Sequence, residues 1–197
     1  MQTLGGLDML KKTLMVAFAG LALQPALAQD QAMTDETRKV AVSLLTKLAG
    51  ALQAEMGKGG PEAAIGVCRD IAPQAAGELS RQNGWRVSRV SLKVRNPLLG
   101  TPDAWESAAL MEFEKRAAGG EELAKLEKGE VVKEGDKQYF RYIKAIPTQE
   151  VCLNCHGAAD KIQPNVKAKL SAEYPHDKAT GYSAGQIRGG VSVKRPI

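Results

Sequence analysis

Between Cys152 and His156 the chain reads Cys-Leu-Asn-Cys-His. Two thiols three residues apart, followed at once by an imidazole, form the attachment pattern of a c-type haem. Each sulfur adds across one porphyrin vinyl group as a thioether, and the adjoining histidine falls under the iron as proximal ligand. Few short patterns are as tightly specified. Two other readings compete for the same spacing. A redox-active dithiol wants the motif at a helix N-terminus after a strand, which lowers the first thiol's pKa. Structural zinc wants four ligands, and only Cys68 and His176 remain to complete such a set. Haem attachment is the stronger reading, and one motif means one haem c.

The N-terminus points the same way. Lys11 and Lys12 precede an apolar run from Thr13 to Leu23, and Ala26-Leu27-Ala28 supplies small residues at the cleavage positions. Residues 1–28 therefore read as a secretory signal peptide, with cleavage before Gln29 and residues 29–197 as the mature domain. The apolar run is too short to span a bilayer, which takes roughly 20 residues. Met9 offers a second start, with a tidier signal opening than Met1. Export would place the protein in the periplasm, where bacterial haem attachment occurs. The formal charge is +5, but lysines and arginines are scattered among acids, which argues for ordinary solvation. Periplasmic location also argues against a nucleic-acid role, and no second apolar stretch suggests a transmembrane segment in the mature chain.

Along the mature chain the pattern is α+β. Thr34-Asp35-Glu36 reads as a helix start, after which Ala41, Leu44, Leu45, Leu48, Leu52 and Met56 recur at helical spacing. Gly59-Gly60 ends that helix and Pro61 opens another, whose stripe of Ala64, Ile65, Cys68, Ile71, Ala72, Ala75 and Leu79 puts Cys68 on the buried side. Trp85 to Val94 alternates as a strand, with a phase shift near Ser88 that suggests a bulge. Asn96-Pro97 breaks it, and Thr101-Pro102-Asp103 starts a helix carrying Trp105, Ala109 and Phe113 on one face up to Gly119-Gly120. Glu130–Lys133 and Lys137–Ile146 pair as a hairpin across Glu134-Gly135-Asp136. A short helix spans Asn165 to Glu173, and Gly189 to Lys194 reads as a last strand.

These residues resemble the haem-c-binding PAS-like domains of bacterial periplasmic sensor regions and free-standing proteins. The matching stretches are Cys68-Arg69-Asp70-Ile71-Ala72-Pro73, Ser91-Leu92-Lys93-Val94-Arg95-Asn96-Pro97 and Pro102-Asp103-Ala104-Trp105-Glu106. The Cys152 motif, Tyr174-Pro175 with Asp177, Gly181-Tyr182 and Ile187-Arg188-Gly189 follow in order. At Leu98-Leu99-Gly100 the chain departs from the family, which continues from Asn-Pro with another asparagine. The resemblance implies a PAS-like antiparallel sheet flanked by long N-terminal helices. It also implies that Cys68 is the distal iron ligand opposite His156.

From the residues alone, Cys68 has two equal readings. An odd thiol in an oxidising compartment is a hazard that coordination would remove. Free cysteine is also commonly a small buried hydrophobe. Other candidates for the sixth position are His176 in the Tyr-Pro-x-Asp loop and Met33, Met56 and Met111, each with an ordinary loop, tail or core role open to it. Met33 falls on a flexible tail in this reading. Arg95 and Arg188 suit the haem propionates, because guanidinium matches carboxylate bidentately, although both also serve as plain surface or strand-edge arginines. Tyr182, beside Gly181, could hydrogen-bond near the haem.

A thiolate ligand would cancel the net charge of ferric haem, and reduction would leave a negative charge in an apolar pocket. A low potential follows, together with release of Cys68 in the ferrous state, which opens a site for a diatomic gas. Three functions stand. The first is a redox or gas sensor working through a partner protein. The second is a small electron-transfer cytochrome. The third, an enzyme, ranks last because His176 is the only histidine not committed to iron. Whether the chain pairs as a homodimer through its N-terminal helix is left open by the sequence.

Overall fold

The computed structural model describes residues 24–197, with side chains from residue 28. The charged and apolar parts of the expected signal peptide lie outside the described residues. The first helix, α1 (Gln24–Gly66), already runs through Thr34, so the expected start at Thr34 is corrected. Thr34 and Thr37 do not cap. Their hydroxyls donate back to the carbonyls of Asp30 and Met33, which helix-interior threonines can do. Met33 is accordingly a buried core residue rather than part of a flexible tail. The break expected at Gly59-Gly60 is present, because both leave helical geometry and Gly60 takes φ 66°, a conformation favouring glycine.

A single π-helical turn, Val67–Ile71, joins α1 to α2 (Ala72–Asn83). The strand β1 (Arg86–Val90) follows, then the short turn α3 (Pro97–Gly100) and the helix α4 (Ala104–Ala118). Asp103 and Glu106 form a reciprocal capping box at the start of α4, which fixes where it begins. The hairpin β2 (Glu127–Glu134) and β3 (Lys137–Pro147) turns across Gly135-Asp136. After it come α5 (Leu153–His156), α6 (Pro164–Glu173) and β4 (Ile187–Pro196).

The four strands form one antiparallel sheet in the order β1-β4-β3-β2. β1 pairs with β4 in unbroken register, so the bulge expected near Ser88 is absent. The irregularity lies between Ile146 and Pro147 on β3, where proline cannot continue the ladder. β1 itself ends at Val90, because the Ser91 amide turns away to donate to the Gly100 carbonyl.

Two cores sit on opposite faces of the sheet. Phe140, Tyr142, Val191 and Val193 pack against Leu44 and Leu48 of α1 and Ala72 and Ala75 of α2. Val90, Ile143 and Ala145 pack against Ala109, Leu110 and Phe113 of α4. A third cluster ties Ile65 to Val166 and Leu170 of α6, with Cys155 against its edge. The result is the α+β arrangement expected, a PAS-like antiparallel sheet beside a long N-terminal helix.

Candidate functional site

The apolar stripe of α1 divides its work. Leu44 and Leu48 cover the sheet with Leu45 packed beside them, and Leu45, Leu48, Leu52 and Met56 line a cavity of about 600 Å³. The cavity lies among α1, α2, the β1 and β4 strands and the Cys152 turn, and its wall is mostly apolar. Cys68, Cys152, Cys155 and His156 all line it, although 84 residues separate the first thiol from the second in sequence. Ligand cavities of this size with a few convergent polar groups are ordinary binding sites.

Cys68 sits on the π turn, which the helical stripe did not reveal. Val67 and Cys68 of that turn both line the cavity, as do Ala64 and Ile65 before it and Ala72 after it. Single π turns inside α-helices are frequent at functional sites.

His156 closes α5 and is held from one side. Its Nδ1 lies 2.6 Å from the Ala179 carbonyl oxygen, an acceptor only, so Nδ1 carries the proton and donates. Burial, reinforced by the Arg188 and Arg95 cations, pushes the imidazole pKa well below its usual value. The ring is therefore neutral with its lone pair at Nε2, the arrangement a metal ligand requires. The Arg188 Nε–H approaches that nitrogen at 3.4 Å. Burial also pushes the Cys155 thiol up and raises the Tyr174 phenol to about 12. Both groups are thus neutral in the cavity wall at pH 7.

The two sequence-selected arginines differ in their surroundings. Arg188 lines the cavity, donates to Ser91 Oγ at 2.8 Å, and stacks over the Tyr182 ring at 5.3 Å. Arg95 lines it too but is buried, with its guanidinium engaged by the Asp177 carboxylate at 2.9 Å and the Cys155 carbonyl at 2.5 Å. A third guanidinium, Arg89, was missed. It lines the cavity from β1 and forms no ion pair among the described residues. The signal was present, since Arg89 lies two residues from buried Val87 and strand neighbours at that spacing share a face. No carboxylate lines the cavity among the described residues.

The remaining candidates separate cleanly. His176 is exposed and outside the cavity wall. Met33 is in the sheet core, Met111 is exposed, and Met56 alone of the three lines the cavity. Tyr182 packs edge-on to His156 with ring centres 6.2 Å apart, so it supports the imidazole from behind. Among the described residues no helix is long and apolar enough to cross a membrane.

Three comparisons bear on the chain. No curated protein matches it. One solved structure, "Crystal structure of the cyanobacterial heme-protein Tll0287", is 30% identical. The match covers 82% of this chain and 95% of that one, with a TM-score of 0.61. A family model described as Tll0287-like matches residues 19–196, which takes in the π turn, the sheet and every cavity-lining residue named above. The chain belongs to the Tll0287-like family.

Proposed function

We propose that this protein is a periplasmic monohaem c-type cytochrome domain, residues 29–197, that senses redox state or a diatomic gas and reports to a partner protein. The observation that carries the reading is the convergence of Cys68, Cys152, Cys155 and His156 on one mostly apolar cavity. The similar cyanobacterial structure is of a heme-protein, which supports the same cofactor here.

The residues fit the group. Cys152 and Cys155 would hold haem through thioethers, each S–H adding across one vinyl group with nothing released. His156 offers a neutral Nε2 lone pair, oriented by the Ala179 carbonyl behind it. Cys68 is the thiol on the α2 side of the same cavity and would serve as the distal ligand. Arg188 and Arg89 supply cations with no protein carboxylate, which suits two propionates. Haem would contribute a one-electron couple and an axial position for a small ligand. Cys68 as thiolate would offset the positive charge of an oxidised haem and would stand uncompensated beside a reduced one, which would favour a protonated Cys68 there.

The cavity wall supports binding over catalysis, because beyond His156 it presents no imidazole and no carboxylate among the described residues. The electron-carrier reading draws on one observation, the apolar rim. Leu99 and Val151 line the cavity yet are 56% and 39% exposed, and Leu98 beside them is 94% exposed.

The first test is covalent attachment. Protein matured with a cytochrome c assembly system should begin at Gln29 and keep its haem through acid–acetone precipitation. Replacing both Cys152 and Cys155 by Ser should give a colourless pellet, and a colourless wild-type pellet would defeat the reading. Exposure of the ferrous protein to nitric oxide and carbon monoxide then separates sensor from carrier. Rapid binding supports the sensor, and an inert six-coordinate ferrous state supports the carrier.

A further inference from the structure

The loop between α6 and β4 is stitched to the haem motif more closely than a connecting loop needs. The Tyr182 and Gly181 amides donate to the His156 and Gly157 carbonyls at 2.9 and 2.8 Å. The Lys178 amide donates to the Val94 carbonyl, one residue before Arg95, at 2.9 Å. At the centre stands Ala179, fully buried, whose carbonyl accepts the His156 Nδ1–H.

Ala179 is itself held by an ion pair. Asp177 Oδ1 accepts the Ala179 amide at 2.7 Å, and Asp177 Oδ2 accepts the Arg95 Nε–H at 2.9 Å. The Arg95 Nη2 group then reaches the Cys155 carbonyl at 2.5 Å and the Ala179 carbonyl at 3.4 Å. One guanidinium thus touches both the residue before His156 and the oxygen on which His156 rests. Both members are largely buried, with 8% and 11% of their side chains exposed, so solvent screens the charges weakly.

We infer that Arg95 and Asp177 are a positioning pair that sets the electron-donor strength of His156 through the shared Ala179 carbonyl. The inference rests on His156 being the proximal ligand. A histidine ligand gains basicity as its distal N–H bonds to a stronger acceptor. A cation on the same oxygen draws its electron density away and weakens it as an acceptor. Arg95 therefore holds His156 toward neutral imidazole character, and Asp177 limits that pull by sharing the guanidinium. Arg95 on this account does not serve the propionates, a role left to Arg188 and Arg89.

The test compares haem-loaded wild type with Arg95→Gln, Asp177→Asn, Arg95→Lys and Arg89→Gln. Two readouts are used, the midpoint potential and the His156 Nδ1–H proton shift in the diamagnetic low-spin ferrous protein, with carbon monoxide added where it is needed to reach that state. Arg95→Gln should lower the potential and move the proton downfield, because the carbonyl becomes a better acceptor. Asp177→Asn should raise the potential and move the proton upfield. Arg95→Lys, which keeps the cation but loses the fork spanning two carbonyls, should follow Arg95→Gln to a smaller extent. Arg89→Gln should move the potential alone, since Arg89 does not touch Ala179. A proton shift unchanged in both neutral variants, or moved the same way in both, overturns the inference. Should the neutral variants fail to fold, an unchanged proton shift in Arg95→Lys does so. If the wild-type chain carries no haem, the functional reading falls, and the same proton shift is read on the protein as isolated, so the two failures are told apart.

Discussion

On the α4 face of the sheet, Arg141 is only 2% exposed and is met by Asp103 at 2.7 Å, Glu134 at 2.9 Å and Glu106 at 3.5 Å. Trp105 covers its guanidinium at 4.7 Å, and Ser192 donates to Glu106 at 2.6 Å. In the cavity, Arg188 meets a hydroxyl, a carbonyl and an imidazole, and burial with the neighbouring Arg95 and Arg89 cations helps push its pKa down. Arg89 beside it makes no ion pair among the described residues. The first arginine is balanced by its own chain. The others lie in a wall whose carboxylates are absent, which is how a protein keeps positive charge for an anionic ligand. The contrast separates a guanidinium closed in by its own carboxylates from two that have none, Arg141 being buried and Arg89 and Arg188 half-buried.

The largest expected effect breaks the balanced side. Arg141→Ala leaves Glu106 buried without its cation and should cost about 3–5 kcal/mol by urea unfolding. The matching change in the cavity, Arg89→Met with Arg188→Met, strands no protein carboxylate and should cost less than about 1 kcal/mol. It should instead speed haem loss from a Cys152→Ser/Cys155→Ser protein reconstituted with haem. Equal destabilisation on the two sides would erase the distinction.

A smaller effect appears with pH. Burial raises the Asp103 carboxyl, but the Glu106 amide at the helix cap and the Arg141 cation outweigh it and hold the group below the usual carboxylate range. Lys194 and Arg141 hold Glu134 down likewise. For depressed carboxylates the stabilisation is complete above the unfolded pKa, about 4, and is lost as pH falls through the folded value. Urea midpoints should therefore fall gently below about pH 6.5, where only the unfolded chain protonates His156, and more steeply below pH 4, and Arg141→Ala should shallow the lower fall. The smallest effects are expected from Met56→Leu and His176→Ala, which should leave the ferric spectrum unchanged. A spectral change in the Met56 variant would move the distal ligand onto α1.

Much of this was legible in residue order. The helix start at Thr101-Pro102-Asp103, the Gly59-Gly60 break and the turn at Glu134-Gly135-Asp136 are local signals, and each element formed at its signal. Cys152, Cys155 and His156 were legible as a spacing, and the fold brings all three to one cavity wall with Cys68. Other features depended on tertiary contacts. The start of α1 was misread because threonine hydroxyls serve caps and interiors alike, and only the Asp30 and Met33 carbonyls show which. The strand irregularity was placed on Ser88 from its side-chain pattern, whereas the ladder breaks at Pro147 in another strand. The π turn at Cys68 adds one residue to a helix without changing its composition, so no periodicity announces it. The pairing of Arg95 with Asp177 was equally hidden, since the two lie 82 residues apart.

The central claim is that Cys68 and His156 face each other across one haem in the cavity they both line. The most direct measurement is the ferric absorption spectrum, from the Soret band into the near infrared, of the wild type beside Cys68→Ser. The account predicts a low-spin wild type with a thiolate-to-iron charge-transfer band that disappears in Cys68→Ser, accompanied by a rise in midpoint potential. An identical spectrum in the two proteins would contradict it and assign the sixth position to another residue.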